Sequence, residues 1–134
     1  MHPAIGLPGR QHFDPLHVPH LLPQLWLLEV QRAPFRLRYR VAGTRVVELA
    51  GQELTGRWLD EAHPHLRVNN GLARFERVVE TGVPDWRRGK PKVFLAHMDY
   101  AEIENCLFPL ARDGVTVDMI LVYTVFYRPD GTEL

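Results

Sequence analysis

GTRVVELAGQELTGRWLDE, residues 43–61, is the segment from which the architecture of this chain can be read. Gly43-Thr44 closes a strand-like run at 35–41, and Thr44 is placed to cap a helix, its hydroxyl accepting from an orphan amide of the first turn. Val46, Val47 and Leu49 give that short helix an apolar side, and Gly51 stops it. A second turn carries Leu54, Thr55-Gly56 and Arg57 and ends on Leu59-Asp60. Short helices joined by glycine hinges, directly after a hairpin, predict a concave shelf lying over a sheet. Gly56 joins two of them within a tight turn and is expected to hold a backbone geometry closed to other residues.

On the N-terminal side, residues 25–30 are almost wholly apolar, as a central strand covered on both faces requires. Residues 35–41 alternate, with Phe35, Leu37, Tyr39 and Val41 on one face and Arg36, Arg38 and Arg40 on the other. The arginine row reads as a solvated face that pairs Glu29 across the hairpin. Before these strands, Asp14-Pro15 reads as N-cap and first helical residue of a short segment that Pro19 and Pro23 keep from growing. Its Phe13, Leu16, Val18, Leu21 and Leu22 must dock on something, whereas residues 1–12 are expected to be loosely held.

On the C-terminal side, Val68, Leu72, Phe75 and Val79 recur at helical spacing through 66–81, with Leu66 and Val78 alongside. Thr81-Gly82-Val83-Pro84 ends this long helix. A ragged edge strand at 85–95, interrupted by Gly89 and Pro91, precedes a strand at 100–110 and a turn at Asp113-Gly114. The last strand, 117–127, is apolar on both alternating faces from 119 onward and must be central. The order of hairpin, helices and three strands is that of an α+β domain with an antiparallel sheet.

The chain resembles a PAS domain, and more narrowly a bacterial subfamily of compact stand-alone PAS-like domains. The residues that carry the resemblance are Phe13-Asp14-Pro15, Leu22-Pro23, Tyr39-Arg40, Gly43-Thr44, Leu54-Thr55-Gly56-Arg57, Leu59-Asp60-Glu61, Phe108-Pro109-Leu110, Asp113-Gly114 and Val117-Asp118-Met119. They run from about residue 10 to the last strand, so a single domain over 1–134 is expected, with 13–24 as an N-terminal cap. The resemblance implies a five-stranded antiparallel sheet, short helices and one longer helix on one face, and a helical cap. It also implies a ligand pocket between sheet and helices. Joined to the alternating strand faces, it places Tyr39, Val41, Leu49, Trp58, Leu72, Phe75 and Met119 around that pocket. A haem-binding member would carry an axial histidine on the long helix, and 66–81 contains none. A flavin photoreceptor would carry a reactive Asn-Cys-Arg motif near that helix. Cys106 follows Asn105 but lies on a strand before Leu107, and reads as a small buried residue. A colourless protein without haem, flavin or zinc is therefore expected.

Composition narrows the function. The chain has 134 residues, 46% of them hydrophobic, with 16 basic and 16 acidic side chains. A formal charge of zero offers nothing to nucleic acid or an anionic membrane. One cysteine excludes an internal disulfide, and no apolar run has the length of a membrane helix or the core of a signal peptide, which makes the cytoplasm the default. Seven histidines invite a metal, but His17 and His20 straddle Pro19, His63 and His65 flank Pro64, and no third ligand has useful spacing. They read as surface or capping residues. Glu102 and Glu104 share a strand face and His97 precedes Asp99, yet an exposed strand side and a polar lead-in explain both pairs. No nucleophile elbow or phosphate-cradling loop is present. The expected function is a sensory, ligand-binding or protein-interaction domain, not an enzyme, whose signal passes through a separate protein. A structural dimerisation module without ligand and a small-cavity α+β enzyme are the alternatives. Because the helices can cover one face of 119–127 only, a symmetric homodimer is expected through the outer sheet face and the cap.

Overall fold

The structure, a computed structural model, describes residues 6–12, 19–91, 93 and 102–134. Its strands are β1 (Leu25–Gln31), β2 (Arg36–Ala42), β3 (Asp85–Gly89), β4 (Glu102–Leu110) and β5 (Met119–Tyr127). Between β2 and β3 lie α1 (Thr44–Ala50), α2 (Leu59–Ala62), α3 (Leu66–Asn69) and α4 (Ala73–Thr81). The strands form one sheet in the order β2-β1-β5-β4-β3, every neighbouring pair antiparallel. This is the expected five-stranded α+β architecture, with β1 and β5 inside the sheet and β3 at its edge.

One sheet face carries the core. Trp26 and Leu28 of β1, Leu37 and Tyr39 of β2, Ile103 and Leu107 of β4, and Ile120, Val122 and Phe126 of β5 are buried there. Val46, Leu54, Leu59, Leu66, Phe75 and Val78 from the helices and their connections close over them. A two-residue period puts alternate side chains on this face, and that period fails once. Leu28 pairs with Tyr39 and Leu27 with Val41, so Arg40 is an extra residue in β2. Such a bulge reverses the facing of everything beyond it. Val41, expected beside Tyr39, therefore lies with Leu27 on the outer face and is 49% exposed.

The helical segment 66–81 is not one helix. Asn70 adopts a left-handed backbone, φ 58°, and its amide donates to the Leu66 carbonyl to end α3. Asn69-Asn70-Gly71 is a C-capping sequence, and it prevails over the apolar periodicity running through it. Val68 consequently turns outward and is 90% exposed, whereas Phe75, Val78 and Val79 of α4 stay buried.

Two further details differ from expectation. Gly43, extended and without a side-chain bond, is the N-cap of α1, and Thr44 is its first residue. A Cβ at Gly43 would stand 2.2 Å from the Leu22 carbonyl oxygen and 2.4 Å from that of Pro23. The glycine thus lets the N-terminal cap, a 3-10 helix at Pro19–Gln24, lie against the start of α1. Residues 54–57 form a strap and not a second helix: Gly56 N–H donates to the Tyr39 carbonyl (2.7 Å) and Tyr39 N–H to that of Arg57 (2.9 Å). The strap covers the open edge of β2, with Trp58 bridging Arg38. Gly56 has φ 86°, the left-handed geometry anticipated for it.

Residues 6–12, expected to be loosely held, are tied to the β4–β5 connection. Leu7 N–H donates to the Gly114 carbonyl and Ala111 N–H to that of Pro8, both at 2.8 Å. The strand expected at 85–95 ends at Gly89, before Pro91; its residues 92, 94 and 95, the expected helix start at 13–18, and His17, His97, Asp99 and Tyr100 lie outside the described residues.

Candidate functional site

The centre of the sheet is occupied by the protein's own aromatic side chains. Trp26 projects from β1 into the core, where its indole N–H donates to Thr124 Oγ1 at 2.8 Å. Its ring stacks on Tyr39 (centroids 5.7 Å apart, 29°) and meets Phe75 edge-on at 6.1 Å. The Tyr39 hydroxyl lies 2.9 Å from Nε2 of His63, a buried residue at the end of α2. Burial, with His65 and Arg57 nearby, pushes the His63 pKa down to about 4, so the ring is neutral near pH 7. Burial likewise holds the Tyr39 hydroxyl well above its ordinary value. His65 Nε2, 2.7 Å from the Val93 carbonyl, must carry the proton of that bond. His63 and His65 therefore brace the core and the turn after β3, where surface or capping roles were expected.

Open space lies to either side of this filled centre. A cleft of about 390 Å³ runs between α4 and the inner side of β3 and β4, within the usual size range of small-molecule sites. Phe75, Val93 and Ile103 supply apolar wall, and Arg74, Arg77, Arg87, Asp85, Asn70 and Asn105 supply polar groups. Arg74, from the first turn of α4, reaches across the cleft. Its Nε pairs with Asp85 of β3, Nη1 donates to Asn105 Oδ1, and Nη2 donates to the Asn105 carbonyl at 3.1 Å. A second, mostly apolar groove of about 480 Å³ lies on the outer face, between the Pro19–Gln24 cap and Leu25, Leu27, Val41 and Leu121.

The seven expected pocket residues are divided among these regions. Tyr39 and Phe75 are both in the core, each against Trp26, with Leu49 and Leu72 half-buried against that core. Trp58 lies at the β2 edge beneath the Arg36 guanidinium, 4.2 Å from its ring centre. Val41 is on the outer face for the reason given above. Met119 is there too, paired with Glu29 and Leu110, because Ile120, Val122, Thr124 and Phe126 are the inward set of β5. Arg74, Asp85 and Asn105 were not expected at a site. The signal for Asn105 was its place between Ile103 and Leu107, which puts a polar side chain on the apolar face. Nothing local marks Arg74 as anything but a helix-surface residue.

The carboxylates of β4 are engaged on the outer face. Glu102 accepts from Arg88 Nε at 2.7 Å. Glu104 accepts from the Tyr127 hydroxyl and the Trp86 indole, both at 2.6 Å, which holds its pKa below the usual carboxylate value. Two of the three row arginines pair as expected, Glu29 lying 3.3 Å from Arg38 and 3.6 Å from Arg40, whereas Arg36 turns to Asp60 and Glu61. Cys106 is a free, half-buried thiol, raised by burial. Among the described residues no group of three or more His, Cys, Asp or Glu is placed to hold a metal, and no helix is long and apolar enough to cross a membrane.

An antiparallel sheet with short helices on one face, an aromatic centre and clefts at its margins is an α+β layout of the PAS type. Residues 2–121 match the PAS domain family, and the chain belongs to it. Domains of this family are generally non-catalytic. No curated protein and no solved structure matches the chain.

Proposed function

We propose that this chain is a ligand-sensing PAS domain of bacterial signalling, working in the cytoplasm as a homodimer and reporting to a separate protein. The cleft between α4 and β3–β4 carries the reading. It is an inner-face space of ligand size, and it borders Phe75, which meets Trp26 edge-on at the centre of the sheet. A molecule held there would bear on α4 and on β4, and β4 pairs with β5 along nine residues. The outer face of those strands is where a second copy would sit. Leu27 lies between Val41 and Leu121, and Leu121 pairs with Phe108, so an apolar row crosses four strands with exposed residues at both ends. A catalytic use of the cleft finds no support in its acid, since Asp85 is paired with Arg74.

Native mass spectrometry of the purified protein, with an absorption spectrum, tests the ligand. A discrete mass above that of the chain, lost on denaturation, in a colourless sample is the expected result. The bare mass in every preparation, with no small molecule raising the melting temperature, would instead leave a dimerisation module without ligand. That second reading draws on one observation, the aromatic filling of the sheet's centre.

A further inference from the structure

Resting on that reading, we infer that the cleft beside α4 takes a small organic anion, a carboxylate with an apolar body. Three arginines and one acid line it, and Asp85 balances Arg74, which leaves two positive charges in excess in a chain whose formal charge is zero. Arg77 stands at the rim, exposed, and among the described residues its side chain has no ion pair or hydrogen bond. Arg87 donates one Nη2 bond to the Lys90 carbonyl, which leaves the other guanidinium donors for a guest.

The second observation comes from the floor. Asn105 is 4% exposed, and its side-chain oxygen is fixed as the acceptor of Arg74, which has only donors to offer. Among the described residues its amide nitrogen has no hydrogen-bond partner. No fully buried side-chain polar atom among the described residues lacks a partner, so that nitrogen must open onto the cleft. A donor that faces a cleft is met there by solvent or by a ligand that accepts from it. An acceptor at this point, flanked by two free guanidinium edges, is what a carboxylate supplies in bidentate form. Phe75, Val93 and Ile103 offer apolar contact to the remainder of the molecule, and a bare inorganic ion would leave them wet.

The test is titration of the isotope-labelled protein with phenylacetate, and with its neutral amide, phenylacetamide, followed by amide NMR. Phenylacetate is expected to shift the Asn105 side-chain amide together with Gly71 and Ile103, and to bind roughly tenfold or more tightly than the amide. Arg77→Gln, at an exposed position, should weaken phenylacetate about tenfold and leave phenylacetamide unchanged. Equal binding of the two probes, or an intact Arg77→Gln response, overturns the anion assignment. So does a neutral or cationic molecule recovered from the cleft, which would leave ligand sensing itself standing. No shift with either probe and no bound molecule in the native mass spectrum would overturn both.

Discussion

The two faces of β5 are nearly equal in hydrophobicity and differ in fate. Ile120, Val122, Thr124 and Phe126 are buried to within 1% beneath the helices. Met119, Leu121, Tyr123, Val125 and Tyr127, from the same strand, remain half-buried on the other side. What separates them is the cover across from each face, and the chain builds most of its cover on one side. The inner face is a finished core, with even its threonine hydroxyl bonded to Trp26. The outer face has the Pro19–Gln24 cap at one end and polar pairs such as Arg88–Glu102 at the other. Hydrophobicity alone does not decide which face becomes the core; the placement of the helices does.

Substitutions should behave oppositely on the two faces. The largest effect is expected for Trp26→Ala, which removes the centre of the inner layer, leaves a cavity and strands Thr124. A loss of about 3–5 kcal/mol in urea unfolding is expected, and a loss below 1 kcal/mol would show that the inner face is not the core described. Next is pH. His63 has a folded pKa of about 4 against an ordinary 6.5, so between those values the unfolded chain binds a proton that the native one does not. Its contribution is complete above about pH 6.5 and is lost as pH falls towards 4, by about 3 kcal/mol. His63→Gln, which keeps a partner for Tyr39, should flatten the stability–pH curve in that window. Parallel curves for the variant and the natural chain would remove His63 as the cause.

Gly56→Val should cost about 1–3 kcal/mol. A Cβ there meets nothing within 4 Å, so the cost is that of the left-handed backbone alone. Gly56→Asn should cost less, because asparagine tolerates this region, and an unchanged melting temperature for valine would show no special geometry. The smallest effect belongs to the outer face. Val41→Ser should change the stability of dilute protein by no more than about 0.5 kcal/mol, while reducing its dependence on protein concentration. A loss as large as that at Trp26 would erase the distinction between the faces.

Period-2 and period-3.6 patterns made most of this arrangement legible. The central places of β1 and β5 and the edge place of β3 follow from which runs are apolar on both faces and which are broken by Gly and Pro. The failures have local causes. The extra residue Arg40 is invisible to a strict alternation, which therefore misplaces Val41. The Asn69-Asn70-Gly71 stop is weaker to the eye than the apolar repeat that it interrupts, and so Val68 was assigned to the core side. With both faces of β5 apolar, parity alone could not say which held Met119. The cleft was the least legible part, because it joins Arg74 to Asp85 and Asn105 through long-range pairing, and only the inward parity of Asn105 was written locally.

Sedimentation of the natural chain beside Val41→Asp and Phe108→Asp tests most directly the claim that one strand serves a core on one side and an interface on the other. The account predicts a dimer for the natural chain at high micromolar concentration, and folded monomers with unchanged circular dichroism for both variants. A natural chain that sediments as a folded monomer, or variants that remain dimeric, would contradict it.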